Sequence, residues 1–151
     1  MHGGLEDTIC AIATPAGEGG IGIVRLSGSQ ALVVASRVVR LRSGHPLSSV
    51  SSHTLHLADL AIPSSDKREN NGPDHHPAPI SGLLDEALVV YMKAPRSFTA
   101  EDVVEIQSHG GSLVLGLICK VCVESGARMA EPGEFTKRAF LNGRLDLSQA
   151  E

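Results

Sequence analysis

The chain has 151 residues, 42% of them hydrophobic and 20% charged, which is the composition of a globular domain with one core and excludes fibrous and wholly disordered proteins. Seventeen acidic residues against 13 basic ones give a formal charge of −4, the wrong sign for a domain that grips a nucleic-acid backbone by itself. Three cysteines, an odd number, make no disulfide framework, and no apolar run reaches the roughly 18 residues of a membrane span, so a cytoplasmic protein is predicted.

The first part of the chain predicts two strands and a helix. Residues 8–13 form a short apolar run that ends in a turn, and residues 21–27 alternate in the manner of a second strand. A serine, Ser27 or Ser29, is suited to cap a helix that runs to about Val39.

The middle of the chain predicts three strands around one long loop. Residues 53–62 alternate as a strand, whereas residues 64–81 collect Asn, Pro, Gly, Asp and His without apolar periodicity and predict an exposed, mobile loop. Residues 83–92 give the strongest strand signal, and we expect them to pair with a strand at 102–108.

The last part predicts a helix, a short strand and a second helix. Residues 113–123 are apolar nearly all round, which indicates a helix buried on more than one side. A short strand is predicted at 128–130. Pro132 suits the first position of the next helix, and Asn142–Gly143 is a stop signal for it.

These elements predict an α+β fold, with a mixed β-sheet packed against about three helices. Asp146 and Gln149 have the spacing of a capping box, which marks the start of a further helix. We therefore expect residues 1–145 to form one domain and residues 146–151 to begin a helical one.

Several motifs favour a structural interpretation over a chemical one. The glycines of 17–22 lead into a strand instead of a helix, which disfavours a dinucleotide site, and no G-x-x-x-x-G-K-[ST] motif occurs in the sequence. Cys119 and Cys122 lie in the middle of a predicted helix, so we interpret them as core residues. His75–His76 fall in the polar loop, and His109 has no identifiable nucleophile beside it, so a structural or ligand-edge role is expected.

Three charged residues, Arg25, Glu105 and Arg144, stand beside apolar neighbours or glycine at the boundaries of elements. Alternation places Glu105 on the face of its strand opposite Val104 and Ile106, where a carboxylate can receive a ligand. An internal ion pair or solvated surface charges are the alternative interpretation, because buried charges need partners.

Three blocks of the sequence together resemble the N-terminal domain of the MnmE (TrmE) family of tRNA-modification GTPases: residues 8–28, 95–111 and 131–151. The resemblance implies a fold related to the folate-binding domain of the glycine-cleavage aminomethyltransferase. It also implies that the domain forms a homodimer and binds 5-formyl-tetrahydrofolate near the dimer interface.

The positions that match the folate site of this family are Arg25, Glu105 and Arg144, where the family often has lysine at the last. We expect Glu105 to accept two parallel N–H bonds from the aminopyrimidine edge of the pterin. The arginines are suited to the pterin carbonyl or to the glutamate carboxylates of the ligand.

The resemblance further implies that a full-length protein acts with the FAD-dependent MnmG (GidA) on the wobble uridine of tRNA. It assigns GTP, Mg²⁺ and K⁺ to a separate GTPase domain, so no complete active site is expected in these 151 residues. Two alternatives are a stand-alone folate-dependent aminomethyltransferase and a purely structural dimerisation module in which the three charges form an ion network.

Overall fold

The computed structural model describes residues 7–14, 20–61, 86–109 and 111–149. Three predicted features lie wholly or partly outside these residues: the turn at 17–20 except for Gly20, the entire loop at 64–81 with its histidine pair, and the start of the strand at 83–92.

The described residues form one mixed sheet and three α-helices. The strands are β1 (Ile9–Ile12), β2 (Gly22–Ser27), β3 (Val39–Leu41), β4 (Leu55–Leu60), β5 (Glu86–Met92), β6 (Val103–Ser108) and β7 (Arg128–Met129). The helices are α1 (Ala31–Val38), α2 (Gly111–Glu124) and α3 (Glu134–Leu141). The strand order is β3-β4-β5-β6-β2-β1-β7; only the β1–β7 pair is parallel. The predicted α+β class is confirmed, as are the pairing of β5 with β6 and the short strand β7.

The core lies on one face of the sheet, under α1 and α2. Alternation along β2 and β6 sends Val24, Leu26, Val104 and Ile106 to this face, where all four are completely buried. The side chains between them point to the opposite face, where α3 lies. The predicted division of the strand faces is confirmed, and it places Arg25 and Glu105 away from the main core.

The predicted serine cap of α1 is wrong. The helix begins after Gln30, whose side chain makes no capping bond, and the Gln30 N–H donates to the Thr8 hydroxyl at 2.9 Å. The Ser27 hydroxyl instead lies 2.7 Å from the Thr99 hydroxyl. At Val39 the backbone becomes extended and continues directly as β3, a strand that the sequence did not predict because no turn residue separates it from the helix.

Helix α2 is buried mainly along one side, contrary to the prediction. Its buried residues recur at helical spacing, from Leu115 to Cys122, whereas the side chain of Leu113 is 75% exposed. Apolar composition alone therefore overstated how much of the helix is covered. All three cysteines are free and buried, as expected of core residues.

Helix α3 starts later than Pro132 predicts. Gly133, with φ of 76°, is the residue before the helix, and Glu134 is its first residue. A left-handed backbone is accessible to glycine without a side-chain clash, and it turns the chain into the helix. The predicted stop is confirmed, because the helix ends at Leu141 and Gly143 also has φ of 76°.

The predicted capping box at the end of the described chain is confirmed by reciprocal hydrogen bonds. The Gln149 N–H donates to the Asp146 carboxylate at 2.8 Å, and the Asp146 N–H donates to the Gln149 side-chain oxygen at 3.0 Å. The division into two domains at this point stays a prediction. Among the described residues, no helix is long and apolar enough to cross a membrane.

Candidate ligand-binding site

Arg25 and Glu105 lie directly opposite each other on β2 and β6. The guanidinium group donates from Nε at 2.9 Å and from Nη2 at 2.8 Å, both to the same carboxylate oxygen, Oε1. The second oxygen, Oε2, accepts no hydrogen bond from any residue that the structure describes. The pair therefore fixes the carboxylate in position and leaves one oxygen available to an N–H donor.

The surroundings of this pair are apolar. The strand register places Glu105 beside Val90 of β5, and Val90 beside Leu55 of β4, so all three share one face of the sheet. Leu55 is 54% exposed, and its same-face neighbour Leu57 is 42% exposed. On the other side of Glu105, the Phe135 ring of α3 lies 5.8 Å from the guanidinium carbon of Arg25. The result is a carboxylate at the edge of an open apolar surface, next to an aromatic ring.

A polar network fixes α3 against this face. Arg138, only 2% exposed, donates to the Glu101 carboxylate at 3.1 Å and to the backbone carbonyl of Asp7. The Ser27 hydroxyl also donates to Glu101, at 3.0 Å. The sequence pattern did not predict the burial of Arg138. Arg138 is buried because three segments that are distant in the sequence, at Asp7, Ser27 and Glu101, meet around its side chain.

A second ion pair holds the start of α3. The Arg128 guanidinium donates to both oxygens of Glu134, at 2.7 and 3.0 Å, and the Glu131 N–H donates to it at 2.9 Å. The hydrogen bonds from Arg128 lower the pKa of Glu134 from 4.5 to about 2, assisted by that N–H and opposed by burial. These contacts make Glu134 a structural carboxylate.

Arg144 does not join the other two predicted site residues within one chain. It lines a separate cavity of about 480 Å³, together with His53, Pro95, Arg96, Ala100, Asn142 and Gly143. Neither Arg25 nor Glu105 is part of that lining. The structure thus brings together two of the three residues, and the three-residue folate site stays a prediction.

The remaining candidates have structural contacts. Nδ1 of His109 lies 2.7 Å from the carbonyl oxygen of Gly20. This hydrogen bond joins the end of β6 to the segment before β2. Contact with Cys119 lowers the pKa of Cys10, but contact with Cys122 and burial outweigh it and raise the pKa to about 12. Contact with Cys10 and burial raise the pKa of Cys119 as well. Within the described part of the chain, no cluster of His, Cys, Asp or Glu is arranged to hold a metal ion.

Comparison with known proteins places the chain in a family. Residues 8–144 match the family described as GTP-binding protein TrmE N-terminus. Among similar relatives, the tRNA modification GTPase MnmE of Symbiobacterium thermophilum is 52% identical over 97% of the chain and 28% of its own length. That of Moorella thermoacetica is 51% identical over 97% and 29%, and that of Bacillus subtilis 48% over 96% and 28%. The chain thus spans less than a third of these relatives, and it belongs to the family of TrmE N-terminal domains.

Proposed function

We propose that this chain is the folate-binding and dimerisation domain of a cytoplasmic tRNA-modification GTPase, with 5-formyl-tetrahydrofolate as its ligand. The observation that carries the proposal is the Glu105 carboxylate, held by Arg25 on an open apolar face of the sheet with one oxygen left to accept a hydrogen bond.

The chemistry of a pterin matches this surface. A pterin is a flat ring with an aminopyrimidine edge that donates N–H bonds, and such an edge pairs well with a carboxylate. The apolar side chains beside Glu105, among them Val90, suit the face of the ring, and Phe135 offers an aromatic contact. Glu105 fixes the edge of the ligand, and Arg144 meets its far end.

The exposed apolar part of the same face supports self-association. Leu55 and Leu57 lie on β4 with no covering helix among the described elements, and exposed apolar surface of this kind marks interaction sites. A second copy of the chain is the occupant we propose, because the ligand site borders this surface and dimerisation would enclose it and bring in the partner's charges.

The whole protein's activity extends this proposal. Relatives more than three times as long are named tRNA modification GTPases. We propose that a protein containing this domain binds GTP, Mg²⁺ and K⁺ through another domain and acts with MnmG on the wobble uridine of tRNA. The domain itself supplies the one-carbon donor's binding site.

Titration calorimetry with 5-formyl-tetrahydrofolate tests the ligand site. Glu105→Gln keeps the size of the side chain but removes its charge and one acceptor site, and we expect affinity to fall about tenfold or more. Glu86→Gln is the matched control, because Glu86 is an ion-paired carboxylate on the same face of the sheet. It lies on β5 opposite β4, away from the pair of Arg25 and Glu105. Unchanged affinity in the Glu105 variant would remove that residue from the site.

The two alternatives predict different results. A purely structural module would not bind the folate at all, although sedimentation would still show a dimer. A stand-alone aminomethyltransferase would transfer a one-carbon unit without any GTPase, which an assay with a methylene acceptor detects. The ion pair of Arg25 with Glu105 is the observation that favours the structural module, and calorimetry decides between it and the ligand site.

A further inference from the structure

The cavity beside Arg144 has an unusual charge. Among the residues that the structure describes, its lining includes Arg96, Arg144 and His53 and no acidic residue. Neither guanidinium group makes an ion pair with a residue in the described part of the chain. The ion pairs found there are made by Arg25, Arg42, Arg128 and Arg138. Two positive charges therefore face solvent around one concave surface without an acidic partner in the described segments.

The carboxylates of the segment that adjoins the cavity already have partners within the protein. Glu101 pairs with the buried Arg138 at 3.1 Å, and Asp102 accepts the Ala94 N–H at 2.9 Å and the Tyr91 hydroxyl at 3.2 Å. The C-terminal end of α3 points toward the cavity with a partial negative charge of roughly half a unit. Backbone N–H groups cap its last carbonyls, including that of Arg138, so the two whole charges of the arginines dominate.

The backbone around the cavity is strained in two places. His53 has φ of 65° and Ala100 has φ of 63°, and they are the only non-glycine residues with positive φ that the structure describes. Both line this cavity. His53 is held there by a backbone bond to the Tyr91 carbonyl and by the Ser52 hydroxyl, each at 2.7 Å. Strained backbone persists where the surrounding contacts enforce it, and it concentrates at ligand sites.

Helix α3 relates this cavity to the candidate pterin site. Phe135, in its first turn, lies over Arg25, and Asn142, just past its end, lines the cavity. Seven residues of helical rise separate the two positions by about 10 Å along the axis. A folate has its pterin at one end and its glutamate carboxylates at the other, with an aminobenzoyl spacer between them, so one ligand is able to follow the helix from site to site.

We propose that the cavity binds the carboxylates of the glutamate end of a folate, and that Arg96 selects poly-γ-glutamyl folates over the monoglutamate. This inference rests on the proposed function. Each added γ-glutamyl unit supplies one more carboxylate, and a guanidinium group binds carboxylates through paired N–H donors. Arg144 meets the first glutamate, and Arg96 and His53 lie where the added ones extend.

Calorimetry of the 151-residue chain with the mono- and triglutamate forms of 5-formyl-tetrahydrofolate tests the inference. We expect the triglutamate to bind about fivefold more tightly at low salt, the effect of one or two exposed ion pairs, and the advantage to shrink as salt is raised. Arg96→Gln should remove the advantage, so that the variant binds the mono- and triglutamate forms with equal affinity. Arg37→Gln is the matched control, an exposed arginine of α1 on the other face of the sheet, and it should keep the advantage.

The outcomes separate this inference from the proposed function. Equal affinity of the wild-type chain for the two forms overturns the selectivity and leaves the folate site standing. An advantage that survives in Arg96→Gln also overturns it, because the added carboxylates then bind elsewhere. Failure of both forms to bind overturns the proposed function and this inference together. Loss of the triglutamate advantage in Arg96→Gln, with the advantage kept in Arg37→Gln, supports the role of the cavity.

Discussion

Arg138 of α3 is 2% exposed and donates to the carboxylate of Glu101, 37 residues earlier in the chain, at 3.1 Å. This pair joins α3 to the segment before β6, and the same Glu101 carboxylate accepts the Ser27 hydroxyl at the end of β2. We expect the position of α3 over Arg25, and of Asn142 at the cavity, to depend on this pair.

Arg138→Met should destabilise the fold by about 3 kcal/mol, because it leaves Glu101 partly buried without its cation. Urea unfolding followed by circular dichroism measures this loss. Lys137→Met, at the neighbouring exposed position of the same helix, should change the free energy of unfolding by less than about 0.5 kcal/mol. A loss below about 1 kcal/mol for Arg138→Met would show that the network does not hold α3 in place.

Glu134 should make stability depend on pH in the acid range. Its pKa is lowered to about 2 in the folded chain, so its contribution is fully present above the ordinary pKa of 4.5 and is lost as pH falls from 4.5 toward 2. We expect Glu134→Gln to be about 2 kcal/mol less stable than the wild type at pH 7. Urea unfolding at several pH values should show the difference closing by about pH 2. A difference that is constant with pH would contradict this role.

The exposed leucines of β4 should determine self-association. Leu57→Asp places a charge on the open face of the sheet, where an interface would leave it unpaired, and should weaken the proposed dimer at least about tenfold in sedimentation velocity. Val33→Asp is the control, because Val33 is 48% exposed on α1, beyond the opposite face, against 42% for Leu57. Equal behaviour of the two variants would place the dimer interface elsewhere.

The thiols should be unreactive in the native chain. Contact with Cys119 lowers the pKa of Cys10, but contact with Cys122 and burial raise it by more. Contact with Cys10 and burial raise the pKa of Cys119, so both buried thiols carry little thiolate at neutral pH. Ellman's reagent should label the native chain very slowly and label all three cysteines rapidly in concentrated urea. Rapid labelling of any one thiol at pH 8 without denaturant would show that the core around β1 and α2 opens easily.

Local pattern in the sequence determined much of this protein. Period-two alternation separated Val104 and Ile106 from Glu105 because neighbouring side chains on a strand point to opposite faces. The Asn142–Gly143 pair predicted the end of α3, and the spacing of Asp146 and Gln149 predicted the capping box, since each depends on residues only a few positions apart.

Only the tertiary structure decided which distant groups meet. Ser27 suits a helix cap by its type, but its hydroxyl bonds to Thr99, 72 residues away, once β2 and β6 are paired. Arg138 is buried, and Arg144 lines a cavity apart from Glu105, because packing of α3 fixes where its ends lie. Contacts between remote segments depend on how the elements pack together, and no local spacing encodes that.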